Sequence, residues 1–249
     1  MIIDTHCHIY YSEMDNAEEI IRQAAENDIC IILNGTDPSS NREVLELSAK
    51  YENVYAALGY FYSFADEITE EDIFLLDSQL TNDNVIAVGE IGIDYYHTKD
   101  NADKQKALFE KMLDLAQKHD LPVIVHSRKA IQDTFEILKK HDVVGSLHCY
   151  QGSGEMAREF IKLGFYIGIG GPVTHTNNKK IRKMLKKIDI NHILVETDSP
   201  YLTPEEKRGE KNTSLNLKYI IRKIAEELDI EEDKVIEITT DNAKRLFEI

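Results

Sequence analysis

Short apolar runs alternate along the chain with longer stretches of helical spacing. The runs fall near residues 2–6, 29–34, 54–59, 85–90, 122–126, 143–148, 164–169 and 193–197. They are close to continuous in Ile, Val, Leu and Ala, as strands covered on both faces are. Between them, Phe109, Met112, Leu113 and Ala116 recur at i, i+3, i+4 and i+7 in KQKALFEKMLDLAQKH. Ile181, Met184, Leu185 and Ile188 repeat that spacing in KKIRKMLKKI. Strands alternating with helices predict a parallel sheet, because each crossover between parallel strands runs through a helix. Eight such units in 249 residues fit an α/β fold of the closed (β/α)8 TIM-barrel type better than an open doubly wound sheet. The segment from Ser214 to Ile249 adds two or three further helices, and Thr240-Asp241-Asn242 predicts the start of one ahead of AKRLF. No linker or low-complexity stretch interrupts the chain, so a single domain over residues 1–249 is expected.

Polar residues at the ends of the apolar runs change the picture from fold to chemistry. His6 and His8 end the first run, Glu90 the fourth, His126 the fifth, His148 the sixth, and Asp198 the eighth. In a parallel barrel all strands finish at one rim, where function resides. Four imidazoles and two carboxylates would therefore meet in one space. Such a donor set suits divalent ions: zinc, manganese, cobalt or nickel, with magnesium preferring more oxygen. His6 and His8 share a strand face and can reach one ion. A pair of ions needs a bridge, and Glu90 is the candidate because its carboxylate offers one oxygen to each. Asp198 is expected to ligate the first ion and to take a proton from an attacking water. Glu196 has the parity of Asp198 and reads as support for the ligands or as a structural polar group. Asp4 has the parity of His6 and is expected to orient a ligand. His119, His141 and His192 precede strands and belong at the opposite rim, whereas His97 and His175 fall in loops of the active rim. Cys7 alternates away from the ligands toward the helices.

A metal-activated water implies hydrolysis of a phosphoester, an amide or a related ester, and the ligands alone do not choose among them. No nucleotide-binding glycine motif or serine-hydrolase elbow is present where it would be needed.

DTHCH at the start, GEIGIDYY at 89–96, PVIVHSR at 122–128, HCY at 148–150, ETDSPYL at 196–202 and the ending from Thr240 to Phe247 resemble, in order and over nearly the whole chain, the TatD family of metal-dependent hydrolases. The resemblance implies that His6 and His8 hold a first metal with Asp198, that Glu90 bridges, and that His126 and His148 hold a second metal. It also implies divalent-metal-dependent DNase activity, often 3′→5′ exonucleolytic, on DNA ends. Two departures bear on substrate. The chain reads His148-Cys149-Tyr150-Gln151-Gly152 where the family often has HCFSG, and Arg208-Gly209-Glu210-Lys211-Asn212-Thr213-Ser214 where it often has RGKRNEP.

Composition then narrows the substrates and setting. The net charge is −16, from 29 basic against 45 acidic residues. That disfavours broad non-specific nucleic-acid binding, which needs a basic surface. Phosphate contacts must then come from a few placed groups. Arg128, Arg208 and Lys211 are the candidates, with Tyr150 and the tyrosines Tyr95, Tyr96 and Tyr201 on the same rim. The lysine-rich segment 179–187 reads either as a guide for a polyanion or as the solvated face of a helix. Three cysteines without a C-x-x-C pair, and no signal-like leader, point to a reducing cytoplasm; no spanning apolar stretch suggests a membrane, and no obligate protein partner is evident. Two alternatives remain beside the nuclease: a hydrolase of a small amide, lactone or other ester, and a metal-stabilised binding protein without turnover.

Overall fold

The computed structural model describes residues 1–249. The chain opens with β1 (Ile2–Cys7), α1 (Ala17–Glu26), β2 (Ile29–Asn34) and α2 (Pro38–Lys50). It continues through β3 (Val54–Leu58), α3 (Glu70–Gln79), β4 (Val85–Asp94) and α4 (Ala102–His119). Then come β5 (Val123–Arg128), α5 (Ile131–Leu138), β6 (Gly145–Leu147), α6 (Gly154–Lys162), β7 (Phe165–Ile169), α7 (Lys179–Leu185) and β8 (Ile193–Val195). Two helices, α8 (Leu217–Leu228) and α9 (Glu232–Phe247), complete it. The eight strands form one parallel sheet in the order β1 to β8, the (β/α)8 arrangement.

The ring is sealed between β8 and β1 without a regular ladder. Thr5 Oγ1 donates to the Val195 carbonyl at 3.1 Å. Beyond the strand ends, the Asp198 and His8 amides donate to the carbonyls of His6 and Ser199. The buried Asp4 carboxylate completes the seam. It accepts from Thr197 N at 2.9 Å, Thr197 Oγ1 at 2.6 Å and Ser214 Oγ at 2.6 Å. Asp4 thus joins the two edge strands through Thr197 and Ser214.

Strand alternation sorts the apolar side chains into two layers. Cys7, Ile31, Leu33, Val88, Val123 and Val125 belong to the large core between strands and helices. Ile3, Ile32, Ala57, Ile86, Ile124 and Leu194 form a smaller core with Ala243, Leu246 and Phe247 of α9. The C-terminal helix therefore closes the end of the barrel opposite the active rim. Its polar residues serve that docking. Thr240 Oγ1 donates to the Met1 carbonyl, and Asn242 Nδ2 donates to the carbonyls of Ile190 and Ile193 at 2.9 and 2.8 Å. Thr240-Asp241-Asn242 accordingly starts no helix. α9 runs through it, because those side chains bond to the barrel instead of capping their own backbone. The second helical pattern is also shorter than its spacing suggests: Ile181, Met184 and Leu185 are buried in α7, while Ile188 lies beyond its end.

Candidate metal centre

The strand ends converge at one rim. β1 carries His6 and delivers His8 just past its end; β4 carries Glu90; β5 carries His126; His148 and Asp198 follow β6 and β8. The structure brings all six side chains together. His6 Nε2 and His8 Nε2 lie 3.1 Å apart. Asp198 Oδ1 is 3.3 Å from the first and 3.6 Å from the second. Glu90 Oε2 is 3.6 and 3.2 Å from the same two nitrogens. The other oxygen, Glu90 Oε1, faces the second pair: 3.1 Å from His126 Nδ1 and 2.9 Å from His148 Nε2, which are 3.0 Å from each other.

This geometry fits metal ions on its own terms. Ligands about 2.0–2.1 Å from a tetrahedral ion stand about 3.3 Å apart. The two imidazole nitrogens lie 3.1 Å from each other and 3.2 to 3.6 Å from the Glu90 and Asp198 oxygens, close to that edge length. Imidazole nitrogens and carboxylate oxygens facing one another this closely need protons or cations between them. The tautomers also suit ligation. His8 Nδ1 is 2.8 Å from the Asn34 carbonyl, so Nδ1–H donates there and the Nε2 lone pair faces inward. His126 Nε2 is 3.1 Å from Asp94 Oδ2, which leaves Nδ1 free to face Glu90.

The electrostatics point the same way. Burial works against charge on Glu90, yet the charges of His148 and His6 and the bonds from His126 and His148 hold it well below the usual carboxylate range. Asp198, opposed by burial but bonded to His6 and His8, is likewise held down. Burial disfavours protonating His126, but Asp94 and Glu90 raise it to about 9. At His8 burial is similarly outweighed by Tyr10, Asp198 and Glu90. His6, dominated by burial and by His148, drops to about 4. The carboxylates thus draw positive charge into both halves of the centre.

Two buried acids lie just behind the ligands. Asp94 holds His126 and accepts from the Tyr96 amide at 2.7 Å through its other oxygen. The sequence reading missed it. Its even spacing from Glu90 on one strand was the available signal. Glu196 Oε1 accepts the Cys149 amide and lies 3.8 Å from His148 Nδ1. Burial pushes its carboxyl well above the usual range, and its bond to the Cys149 amide steadies the loop that carries His148. Gly168 makes room for it, since a Cβ there would collide with the Glu196 carboxyl.

The proposed substrate groups separate. Arg128 lines a cleft beside His126, its guanidinium 3.7 Å from the centroid of the Tyr96 ring and its Nη1 3.3 Å from His97 Nε2. Arg208 pairs with Glu205 at 2.8 Å, outside the lining of either cleft at the centre. Tyr150 is buried and donates to the Ser153 carbonyl at 3.0 Å. Lys211 donates to the Glu13 carbonyl, and His175 is engaged by the Thr203 carbonyl at 2.9 Å. Tyr95 is tied to Asp133, whereas Tyr96 and Tyr201 are exposed at the mouth. Within segment 179–187 Lys180 reaches the cleft, while Arg182, Lys186 and Lys187 are held by Glu227 and Glu155. Of the two family departures, Gln151 lines the cleft, whereas Glu210 pairs with Lys207 away from it. No helix is long and apolar enough to cross a membrane.

Comparison with known proteins agrees with the site. The family described as TatD related DNase matches residues 3–248. The metal-dependent hydrolase YabD of Bacillus subtilis, itself uncharacterised, is 39% identical, with both chains covered in full. The likewise uncharacterised metal-dependent hydrolase YcfH of Escherichia coli K12 is 31% identical, over 100% of this chain and 96% of its own. Among solved structures, the TatD homologue YjjV of Escherichia coli K12 superposes with a TM-score of 0.92 at 29% identity, covering 100% of this chain and 98% of that one. The chain belongs to the TatD family of metal-dependent hydrolases.

Proposed function

We propose that the protein is a two-metal phosphodiesterase acting on DNA ends, with His6, His8 and Asp198 holding one ion, His126 and His148 the other, and Glu90 shared. The observation that carries the two-ion reading is the division of Glu90: Oε2 faces the His6–His8 pair and Oε1 faces the His126–His148 pair. When bound, such ions acidify a water and offset the negative charge that develops on the substrate. Asp198 lines both clefts that open on the centre, and in this reading its carboxylate takes the proton of the attacking water. Asp94 keeps the His126 ring in orientation, and the Asn34 carbonyl does the same for His8. A family described as DNases, and unpaired cations beside the centre, favour a phosphodiester over a small amide, lactone or ester. The test is elemental analysis of the untreated protein, followed by assays of metal-loaded protein on labelled DNA and on small esters, lactones and amides. About two ions per chain with cleavage of DNA are expected. A single ion, or turnover of the small substrates alone, would replace the reading.

A further inference from the structure

Two clefts open on the metal centre and share His126, His148, Asp198 and Tyr201, but their remaining charges are of opposite sign. The larger, about 660 Å³, is lined by Arg128, Lys129 and Lys180 and by no acid other than Asp198. None of the three cations pairs with a carboxylate. Lys180 is steadied by the Gln151 carbonyl at 2.7 Å, and Arg128 by the Tyr96 ring. Tyr96, one face of which Arg128 covers, and Tyr201 are 58% and 50% exposed at the mouth.

The smaller cleft, about 370 Å³, carries Glu13 and Asp37 and no Lys or Arg. Glu13 accepts from the Tyr201 hydroxyl at 2.7 Å, and the nearby Lys211 ammonium is turned to the Glu13 backbone carbonyl. Asp37 is pinned as the cap of α2, accepting from Ser39 N and Ser40 Oγ, both at 2.7 Å. The helix N-terminus that could have welcomed an anion there already holds a carboxylate.

We propose that the two clefts sort the two sides of the scissile bond. On the phosphodiester reading above, the chain and its phosphates lie along Arg128, Lys129 and Lys180, and the Glu13–Asp37 cleft takes a terminal nucleoside that bears no further phosphate. Like charges within a few ångströms repel strongly in a partly enclosed site, and that repulsion acts as selection against a phosphorylated end. The exposed rings of Tyr96, on the basic side, and Tyr201, between the two clefts, accept bases without regard to sequence.

The experiment uses the metal-loaded protein and one single-stranded oligonucleotide in three forms: unphosphorylated, 3′-phosphorylated and 5′-phosphorylated. One terminal phosphate should lower kcat/KM at least tenfold and the other should not. In the double variant Glu13→Gln, Asp37→Asn, where Asn retains the helix cap, that block should shrink at least threefold. Lys129→Glu and Lys180→Glu should raise KM for an octanucleotide more than for a dinucleotide. Equal rates on all three forms, or a block untouched by the double variant, would overturn the sorting while leaving the phosphodiester reading in place. Failure to cut even the unphosphorylated oligonucleotide, with turnover of a small ester, would overturn both.

Discussion

Glu90 is the residue on which the centre turns, since its two oxygens face separate imidazole pairs. Glu90→Gln keeps the shape but replaces one oxygen by an amide that donates instead of accepting. Loss of turnover by at least about a thousandfold is expected, with lower metal content and an unchanged far-UV spectrum; near-normal rates would remove Glu90 from the mechanism. Asp198→Asn should abolish turnover in the same assay. Asp94 acts one step back, through His126. Second-layer partners of metal-binding histidines are typically worth about 10–100-fold in affinity or activity, so Asp94→Asn should weaken the second ion by that factor in a metal titration. The six candidate ligands were legible in the sequence because each stands at the end of an apolar run. Asp94 was less so, because nothing in a linear pattern says which ring a carboxylate will face.

At the scale of elements, α9 works as a plug. Phe247 is buried in the inner core with Ile3, Ile86 and Leu194. Phe247→Ala should lower unfolding free energy by about 3–5 kcal/mol in urea, through lost burial and the cavity left behind. An unchanged denaturation midpoint would mean that the barrel end needs no closure. The spacing of apolar residues identified the strands and α4 because burial imposes that spacing directly. It misplaced a helix start at Thr240, where capping residues and residues that bond to a neighbouring segment look alike in sequence. It also extended the pattern of α7 to Ile188, which is partly buried without being helical.

For the whole molecule, the centre gathers buried acids and imidazoles that strain the fold unless their charges are matched. Ions that bind only the folded state add about 2.7 kcal/mol for each site at a hundredfold excess over Kd. Chelation should therefore lower Tm by about 5–10 °C for one such site, at about 2–4 °C per kcal/mol in a domain of this size. The melt should stay cooperative, because the two apolar cores contain none of the ligands. A Tm that does not move on chelation would argue that ions contribute nothing to the folded state.

The order of strands and helices, the barrel they form and the residues available to hold metal were determined by the sequence alone. Burial periodicity is local, and parallel strands have one active rim. Only the tertiary structure decided which oxygen of Glu90 faces which pair, that Asp4 seals the ring, that Arg208 and Tyr150 stand away from the clefts, and that basic and acidic walls divide the approach. Those are relations between side chains distant along the chain, and their distances exist only once the ring has closed.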